Sequence, residues 1–353
     1  MKQVFLTTKV ESILGNILAN SFRHASVKSA AERYYDKAIC DLMETTENTI
    51  PEEAKSWLES QIGNFEILCA HRIGSSRTGV WHVQSGKGKY FFKINRRRSR
   101  WGAEVFAYKN WTYAIEPYAP TLVAVFDNAN NPGILLSEIT GMPLGETGFN
   151  GYAVRKAYYS AGKLLHRLQE SMSGDWFGCV DDQGLPLDWS GNPLSLEMQH
   201  NLPGQKLDVL TKILKSGDLL NCFDQSERQI LQWAIESVEC YASEKPVPTS
   251  EDYTPGNWLV DNNGELTAII DFENMLWGDR MFPFARLLND YFPHYPSGEQ
   301  AFYDGYGSCP PDEQPVQAKI ACAIYAGHYV TLGKKGNNQG FINRGRAAFK
   351  RIN

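Results

Sequence analysis

Two acidic residues and an asparagine in the second half of the chain have the types and spacing needed for phosphoryl transfer. Asp252 is followed five residues later by Asn257, and a short apolar run ends at Asp271. Transfer to a hydroxyl needs one carboxylate that orients the hydroxyl and takes its proton, and hard oxygen ligands that hold Mg²⁺ against the phosphates. The order predicts that Asp252 is the catalytic acid/base and that Asn257 and Asp271 bind the metal. The alternative is a surface turn followed by an ordinary hairpin, since Asp, Asn, Gly and Pro are common in turns.

A lysine far upstream supplies the cation that such a site still lacks. Lys93 lies in the apolar run Tyr90–Ile94. A lysine inside an apolar strand needs a charged partner, because burial of an unpaired charge is costly. We expect Glu104, in the next predicted helix, to be that partner, and the pair to present the ammonium group to nucleotide phosphates. The alternative is a half-exposed lysine on an edge strand and a solvated glutamate.

Two further segments are candidates for contacts with phosphates or with the acceptor. Gly74, Ser75 and Ser76 begin a segment between the first two predicted strands, whose backbone N–H groups could cover phosphates. A plain hairpin loop is the alternative there. Glu273 lies two residues after Asp271 and shares its face if the segment is extended. We therefore expect Glu273 near the acceptor, with a loop salt bridge as the alternative.

The elements that must position these residues follow from hydrophobic periodicity and turn residues. Residues 1–63 are predicted to be helical, with a helix start at Pro51 and a stop at Gly63. Strands are predicted at Phe65–Ile73, Val80–Gln84, Tyr90–Asn95, Thr121–Phe126 and Gly133–Ile139. Helices are predicted at Trp101–Trp111, along an apolar stripe from Val154 to Leu168, and at Gln229–Ser243. A long loop is predicted at Gly174–Gln205 and a hairpin at Trp258–Phe272.

The order of these parts resembles the aminoglycoside phosphotransferase family and, more broadly, choline and fructosamine kinases. The resemblance runs from about Phe65 to the C-terminus and is carried by Asp252–Asn257, Ile270–Glu273 and Gly278-Asp279. It implies an α+β, bilobal, protein-kinase-like fold with a five-stranded antiparallel N-lobe sheet and a mostly helical C-lobe. The implied domains are an N-terminal helical extension (1–63), the N-lobe (64–140) and the C-lobe (141–353), with ATP between the lobes.

The same resemblance implies roles for three further positions. The run 134–141 is similar to the family's interlobe hinge, so the backbone of Ser137 and Ile139 would hydrogen-bond adenine. Asp279 resembles the residue that braces the catalytic loop. The chain departs from the family at Ser250, where members usually carry a histidine that supports the loop two residues before the catalytic aspartate.

Composition excludes several other classes of protein. The chain has 353 residues, 42% of them hydrophobic, which is a normal globular share and long enough for two lobes. A net charge of -5 gives no general footprint for nucleic acid. We expect no membrane span, because no run approaches the roughly 18 apolar residues required. Seven cysteines without a Cys-x-x-Cys pair suit reduced thiols and a cytoplasmic location.

The acceptor is left open by the sequence. A polycationic acceptor would favour an acidic pocket, to which the predicted long loop offers Asp175, Asp181, Asp182 and Asp188. The same half of the chain also carries Arg280, Arg286, Arg344 and Arg346, which suit a neutral or anionic acceptor. The oligomeric state is not predicted.

Together these observations predict an ATP- and Mg²⁺-dependent phosphotransferase that acts on a hydroxyl of a small molecule: an antibiotic, sugar, amino alcohol or natural-product intermediate. The alternative is a pseudokinase that binds nucleotide or a partner without transfer, which Ser250 and the sparse glycine loop favour. A protein kinase is disfavoured, because no Ala-Pro-Glu segment follows Asp271.

Overall fold

The computed structural model describes residues 49–71 and 78–352. They fall into two compact units, one that ends at Lys87 and one that begins at Gly88. The predicted helices before residue 49 and the predicted phosphate loop with Gly74, Ser75 and Ser76 lie outside the described residues. Within the described residues, no helix combines the length and apolar character needed to cross a membrane.

The first unit contains one described helix and an antiparallel strand pair. Its elements are α1 (Glu52–Ile62), β1 (Phe65–His71) and β2 (Thr78–Ser85). Helix α1 follows Pro51 and ends at Gly63, whose φ of 80° lies in the left-handed region that glycine adopts without strain. The predicted start and stop of this helix are therefore confirmed.

The second unit begins with three strands and a helix. These are β3 (Gly88–Asn95), α2 (Arg98–Asn110), β4 (Leu122–Phe126) and β5 (Gly133–Ser137). Strand β5 pairs antiparallel with both β3 and β4. The indole N–H of Trp101 donates a buried hydrogen bond of 3.0 Å to the carbonyl of Gly133, which fixes α2 on β5. With β1 and β2, all five predicted strands are present and antiparallel, as the predicted N-lobe requires.

Helices dominate the remainder of the second unit, as predicted. They are α3 (Gly151–Glu170), α4 (Leu196–Gln199), α5 (Leu202–Leu220), α6 (Gln225–Glu236), α7 (Phe284–Arg286), α8 (Pro296–Tyr306), α9 (Pro310–Glu313), α10 (Pro315–Lys335) and α11 (Gln339–Ile352). The predicted apolar stripe of α3, from Val154 to Leu168, is buried. Periods of three and four residues place such side chains on one face of a helix.

The predicted long loop at Gly174–Gln205 is wrong in part. It contains β7 (Gly178–Val180), β8 (Pro186–Leu187) and α4. Asp181 accepts the backbone N–H groups of Gln183 and Leu185 at 2.9 and 2.8 Å. Asp188 closes a second turn in the same way. These acidic residues therefore close local turns between short elements.

Helices α3 and α8 approach each other closely at two glycines. A Cβ atom at Gly162 would lie 2.0 Å from the carbonyl oxygen of Phe302. A Cβ atom at Gly305 would lie 1.9 Å from the carbonyl oxygen of Tyr159. Real Cβ atoms do not tolerate such distances, so each helix needs glycine where it meets the backbone of the other.

Short strands surround the segment that carries Asp252. They are β6 (Met142–Pro143), β9 (Val247–Ser250), β10 (Trp258–Val260), β11 (Leu266–Ile269) and β12 (Met275–Gly278). Strands β10 and β11 form the predicted hairpin. Strand β9 pairs antiparallel with β12, with Ser250 opposite Met275. The loop that begins after Ser250 therefore starts beside the point where the segment before Met275 ends.

Candidate active site

Lys93 is the centre of a buried cluster of charges. Its ammonium nitrogen Nζ lies 2.9 Å from Oε2 of Glu104, 2.6 Å from Oδ1 of Asp271 and 2.9 Å from Oε2 of Glu273. Only 8% of the Lys93 side chain is exposed. The expected partner of Lys93, Glu104, is therefore within ion-pair distance, and two carboxylates from the second half of the chain join it.

Burial is the main influence on the pKa of Glu104 in this cluster. Burial raises the pKa of Glu104 to about 8, against the attraction of Lys93 and with the repulsion of Asp271 and Glu273. For Lys93, burial and the neighbouring charges act in opposite directions on the pKa. Its burial disfavours the cation, but the three carboxylates outweigh that cost and raise its pKa well above the ordinary value. The cluster therefore keeps its lysine charged and favours a proton on Glu104.

Asp271 adopts an uncommon backbone conformation. Its φ is 65°, in the left-handed region that costs a non-glycine residue on the order of 1 kcal/mol or more. The segment is therefore not extended at Asp271, contrary to the condition on which the position of Glu273 was predicted. Glu273 nevertheless reaches the same cluster, where the amide Nδ2 of Asn95 donates to its Oε2 at 2.8 Å. The structure thus places Glu273 beside Lys93.

The cluster has the donor set that Mg²⁺ prefers. Carboxylate oxygens of Glu104, Asp271 and Glu273 all lie within 4.8 Å of one another. Hard oxygen ligands of this kind suit Mg²⁺, which binds through few protein groups and keeps much of its water. Glu273 was predicted near the acceptor and not in this cluster, and its position near an acceptor stays a prediction.

Asn257 connects the loop of Asp252 to the segment of Asp271. Its side-chain Nδ2 donates to the carbonyl oxygen of Asp252 at 2.9 Å. Its own carbonyl oxygen accepts the N–H of Ile270 at 3.0 Å. Because the amide nitrogen is used inside the loop, the side-chain oxygen Oδ1 is the atom of Asn257 that suits a metal.

Ser250 supports the loop in place of the histidine usual in the resembling family. Its hydroxyl oxygen accepts the N–H of Asp252 at 3.1 Å. Ser250 itself is buried at the end of β9. The loop is therefore tied to β9 through a side chain, although the residue type differs.

Arg286, one of the arginines that the sequence offered for an anionic acceptor, contacts the predicted catalytic residue. A guanidinium nitrogen of Arg286 forms an ion pair with Oδ1 of Asp252. Thr254 donates to the same oxygen atom at 3.4 Å. Arg286 follows Asp252 by more than thirty residues, so spacing gave no signal for this contact.

A family model described as the phosphotransferase enzyme family matches residues 69–318, more than half of the chain. The chain belongs to this family. That membership confirms the predictions of a phosphotransferase and of a small-molecule kinase. Comparison with curated proteins gave no match.

Solved structures of phosphotransferases share the fold of this one. The crystal structure of aminoglycoside phosphotransferase APH(4)-Ia is similar with a TM-score of 0.60 and 14% sequence identity, over 84% of this chain and 97% of that chain. The GDP and kanamycin complex of APH(2")-IIia is similar with a TM-score of 0.59 and 14% identity, over 86% and 98%. The GDP complex of aminoglycoside 2'-phosphotransferase-IIIa reaches a TM-score of 0.58 and 16% identity, over 85% and 97%. The predicted protein-kinase-like fold is thereby confirmed.

The predicted hinge of this phosphotransferase, residues 134–141, begins within β5 and continues beyond its end at Ser137. The N–H of Ser137 donates to the carbonyl oxygen of Thr121 at 2.9 Å. Any hydrogen bond from Ser137 to adenine would therefore use its carbonyl oxygen. Ile139 lies two residues beyond the end of β5, and its contact with adenine stays a prediction.

Asp279 is buried at the end of β12 but pairs with a helix. Its Oδ2 lies 2.7 Å from Nζ of Lys206, a nearly buried residue of α5. The Lys206 ammonium also lies 4.9 Å from the ring centre of Tyr241. In this structure Asp279 therefore fixes β12 to α5, a contact that sequence spacing did not indicate.

Proposed function

We propose that this phosphotransferase transfers the γ-phosphoryl group of ATP, with Mg²⁺, to a hydroxyl group of a small molecule. The observation that carries the proposal is the position of Asn257. It is hydrogen-bonded on one side to Asp252 and on the other to Ile270, the neighbour of Asp271. A carboxylate that can serve as acid/base and a carboxylate cluster suited to metal and phosphate are thereby held together.

In the proposed reaction, Asp252 orients the acceptor hydroxyl and takes its proton. The hydroxyl oxygen forms a bond to the γ-phosphorus as the bond from that phosphorus to the bridging oxygen breaks, and ADP leaves. Asn257, Asp271 and Glu273 would hold Mg²⁺, which neutralises charge on the phosphates when bound. Lys93 provides the protein's own positive charge beside them, held in place by Glu104. Preorganised charge of this kind is a major source of rate enhancement.

The ligands of the structural neighbours are consistent with this proposal. One APH(4)-Ia structure is a ternary complex with AMP-PNP and hygromycin B. The APH(2")-IIia structure contains GDP and kanamycin. Each pairs a nucleotide with an antibiotic. Because one nucleotide is an adenine and the other a guanine compound, the choice of ATP over GTP in this chain is part of the proposal.

A second candidate function is a pseudokinase that binds nucleotide without transfer. The contact of Arg286 with Asp252 favours it, because the guanidinium group occupies a carboxylate oxygen that the acceptor hydroxyl would need. The two functions differ in one measurement: transfer of phosphate from radiolabelled Mg-ATP to any member of a library of hydroxylated compounds. Transfer supports the kinase. Binding of Mg-ATP without transfer across the library supports the pseudokinase.

The metal site has a test that does not depend on the acceptor. Asp271→Asn keeps the shape of the side chain but removes a hard anionic ligand. We expect the increment in melting temperature from adding Mg²⁺ to the ATP-bound protein to disappear in this variant. Glu251→Gln, at an exposed position of the loop after β9 and outside the cluster, is the matched control. An undiminished increment in Asp271→Asn would remove Asp271 from the metal site.

A further inference from the structure

Arg286, which contacts the carboxylate of Asp252, belongs to a second group of charges. Its Nε lies 3.7 Å from Oδ2 of Asp290. Arg344, from α11, approaches Oδ1 of Asp290 at 3.6 Å. The hydroxyl of Tyr325, from α10, donates to that Oδ1 at 2.5 Å. Asp290 thus pairs with two guanidinium groups, one of which, that of Arg286, contacts the proposed catalytic aspartate.

We propose that Arg286 and Arg344 bind an anionic group, a carboxylate or a phosphate, carried by the acceptor of this phosphotransferase. The inference rests on the proposed function and adds the charge class of its substrate. The hydroxyl that reacts must lie within hydrogen-bond distance of Asp252. Because Arg286 contacts that carboxylate, the rest of the acceptor lies within reach of Arg286.

The guanidinium groups of Arg286 and Arg344 can still donate hydrogen bonds to a ligand. In the part of the chain that the structure describes, the Nε atom of Arg286 is buried and donates no hydrogen bond. The side chains of Arg286 and Arg344 are 27% and 43% exposed. A guanidinium group presents five N–H donors in a planar fork that matches carboxylate and phosphate oxygens.

The local backbone and charges support a built site at this position. Residues Leu287–Tyr291, which include Asp290, form a π-helical turn, a distortion that is frequent at functional sites. Burial disfavours the Arg286 cation, but Asp252 and Asp290 outweigh it and raise its pKa. Arg344 also lies 5.2 Å from the ring centre of Tyr329. Both arginines are therefore held charged and in place.

An anionic acceptor would also release Asp252 from its contact with Arg286. In this structure Oδ1 of Asp252 is occupied by the guanidinium group of Arg286. An acceptor anion that binds the guanidinium competes with Asp252 for it. Oδ1 then becomes available to the acceptor hydroxyl. An acceptor that carries no anionic group leaves Asp252 bound to Arg286. The Arg286–Asp252 contact therefore favours anionic acceptors over neutral ones.

The rival occupant of this surface is a polycationic acceptor. Three of the acidic residues that could receive one, Asp181, Asp188 and Asp290, already have partners. Asp290 is bound by Tyr325 and two arginines, and Asp181 and Asp188 close backbone turns. A cationic acceptor would also have to approach two guanidinium groups of like charge, which is unfavourable. The observations therefore favour the anion.

The test compares acceptors that share a carbon skeleton and differ in charge. Glycerol, glycerate and glycerol 3-phosphate form one set, and glucitol, gluconate and glucosamine another. Mg-ATP is the donor, and kcat/KM is measured for each compound. The parent is compared with Arg286→Gln, Arg286→Lys and Arg344→Gln. Arg346→Gln, on α11 beside Glu227, is the control for loss of one positive charge.

We expect the carboxylate or phosphate member of a set to exceed its neutral counterpart by roughly 10- to 100-fold in kcat/KM, the effect of one or two charge-assisted hydrogen bonds. That preference should disappear in Arg286→Gln, shrink in Arg344→Gln, persist in part in Arg286→Lys and remain in the control. A merely structural role for Arg286 would lower kcat/KM for all acceptors equally. The kcat/KM values for glycerate and glycerol 3-phosphate show whether a carboxylate or a phosphate is preferred.

A preference for neutral or cationic acceptors would overturn the inference while the proposed function stands. An anion preference unchanged in Arg286→Gln, with the variant folded as judged by its melting temperature, would overturn it as well. If no compound in any charge class were phosphorylated although Mg-ATP binds, the proposed function would fail and this inference with it.

Discussion

Lys93 balances three carboxylates with a single positive charge. Each of the three lies within about 3 Å of its ammonium group. Removing one partner from a buried ion pair is costly, because the remaining charges are left without compensation. The role of Lys93 in function is therefore linked to a role in stability.

Lys93→Met tests both roles in one variant. Methionine fills similar space but leaves Glu104, Asp271 and Glu273 without a cation. We expect the free energy of unfolding to fall by about 3–5 kcal/mol, the usual cost of breaking a buried pair. Phosphate transfer should fall by orders of magnitude even where the variant is fully folded. Chemical denaturation and a transfer assay measure the two effects.

Lys109→Met, at an exposed position of α2, is the matched control and should change neither quantity. Normal turnover by folded Lys93→Met would show that Lys93 does not act on the phosphates.

Glu104 makes the stability of the protein depend on pH. Its pKa is raised from 4.5 to about 8, chiefly by burial. The folded state therefore holds this proton more tightly than the unfolded state. The resulting stabilisation is complete below pH 4.5 and is lost as the pH rises towards about 8.

Glu104→Gln removes this titration while it keeps the shape of the side chain. Between pH 5 and about 8, the melting temperature of the parent should fall more than that of the variant. Thermal melts of both proteins in matched buffers measure the difference. Parallel curves would contradict the raised pKa of Glu104.

At the level of single residues, the sequence predicted the polar groups that occur in a known order. Lys93 and Asp271 could be named because each lies in or at the end of an apolar run, Glu104 because it lies in the next predicted helix. Asp252 and Asn257 could be named from their spacing. Contacts between segments that are distant in sequence could not be predicted in this way. The ion pair of Arg286 with Asp252 is the main example. The functional roles of all these residues stay predictions.

Strand pairing explains how the loop of Asp252 and the segment of Asp271 are positioned. Strands β9 and β12 are neighbours, and the β10–β11 hairpin lies between them in sequence. Sequence periodicity predicted the hairpin from its turn. It did not predict the β9–β12 pair, because strands of four residues are too short for a clear alternation.

The α3–α8 contact offers a test of the helical part. In Gly162→Ala, the new methyl group would meet the backbone of Phe302, which cannot move as a side chain can. We expect a loss of stability of about 1–3 kcal/mol, as is usual for overpacking. Denaturant unfolding measures it. Gly340→Ala, in α11 with only the side chain of Asn338 nearby, is the control. Equal stability of the two variants would contradict the close approach of the helices.

For the molecule as a whole, the order of parts was the most informative signal. No single segment identified the family, but the strand lysine, the aspartate–asparagine loop and the Ile270–Glu273 segment occur in the order of a phosphotransferase. The family match and the fold confirm that prediction. The domain boundaries at residues 63 and 140 stay predictions, as does the identity of the acceptor, which depends on side chains brought together only by folding.

The central claim is that Asp252 takes part in the chemistry and not in nucleotide binding. Asp252→Asn keeps the shape of the side chain but cannot take the proton of the acceptor hydroxyl. A positioned acid/base contributes about 10²–10⁴-fold in rate. Nucleotide affinity should change little, because the cluster around Lys93 remains intact.

The most direct measurement pairs the dissociation constant of Mg-ATP, by calorimetry, with turnover on an acceptor found in the library. We expect Asp252→Asn to bind Mg-ATP as the parent does and to lose at least about a hundredfold in turnover. Undiminished turnover in Asp252→Asn would show that Asp252 is not the acid/base.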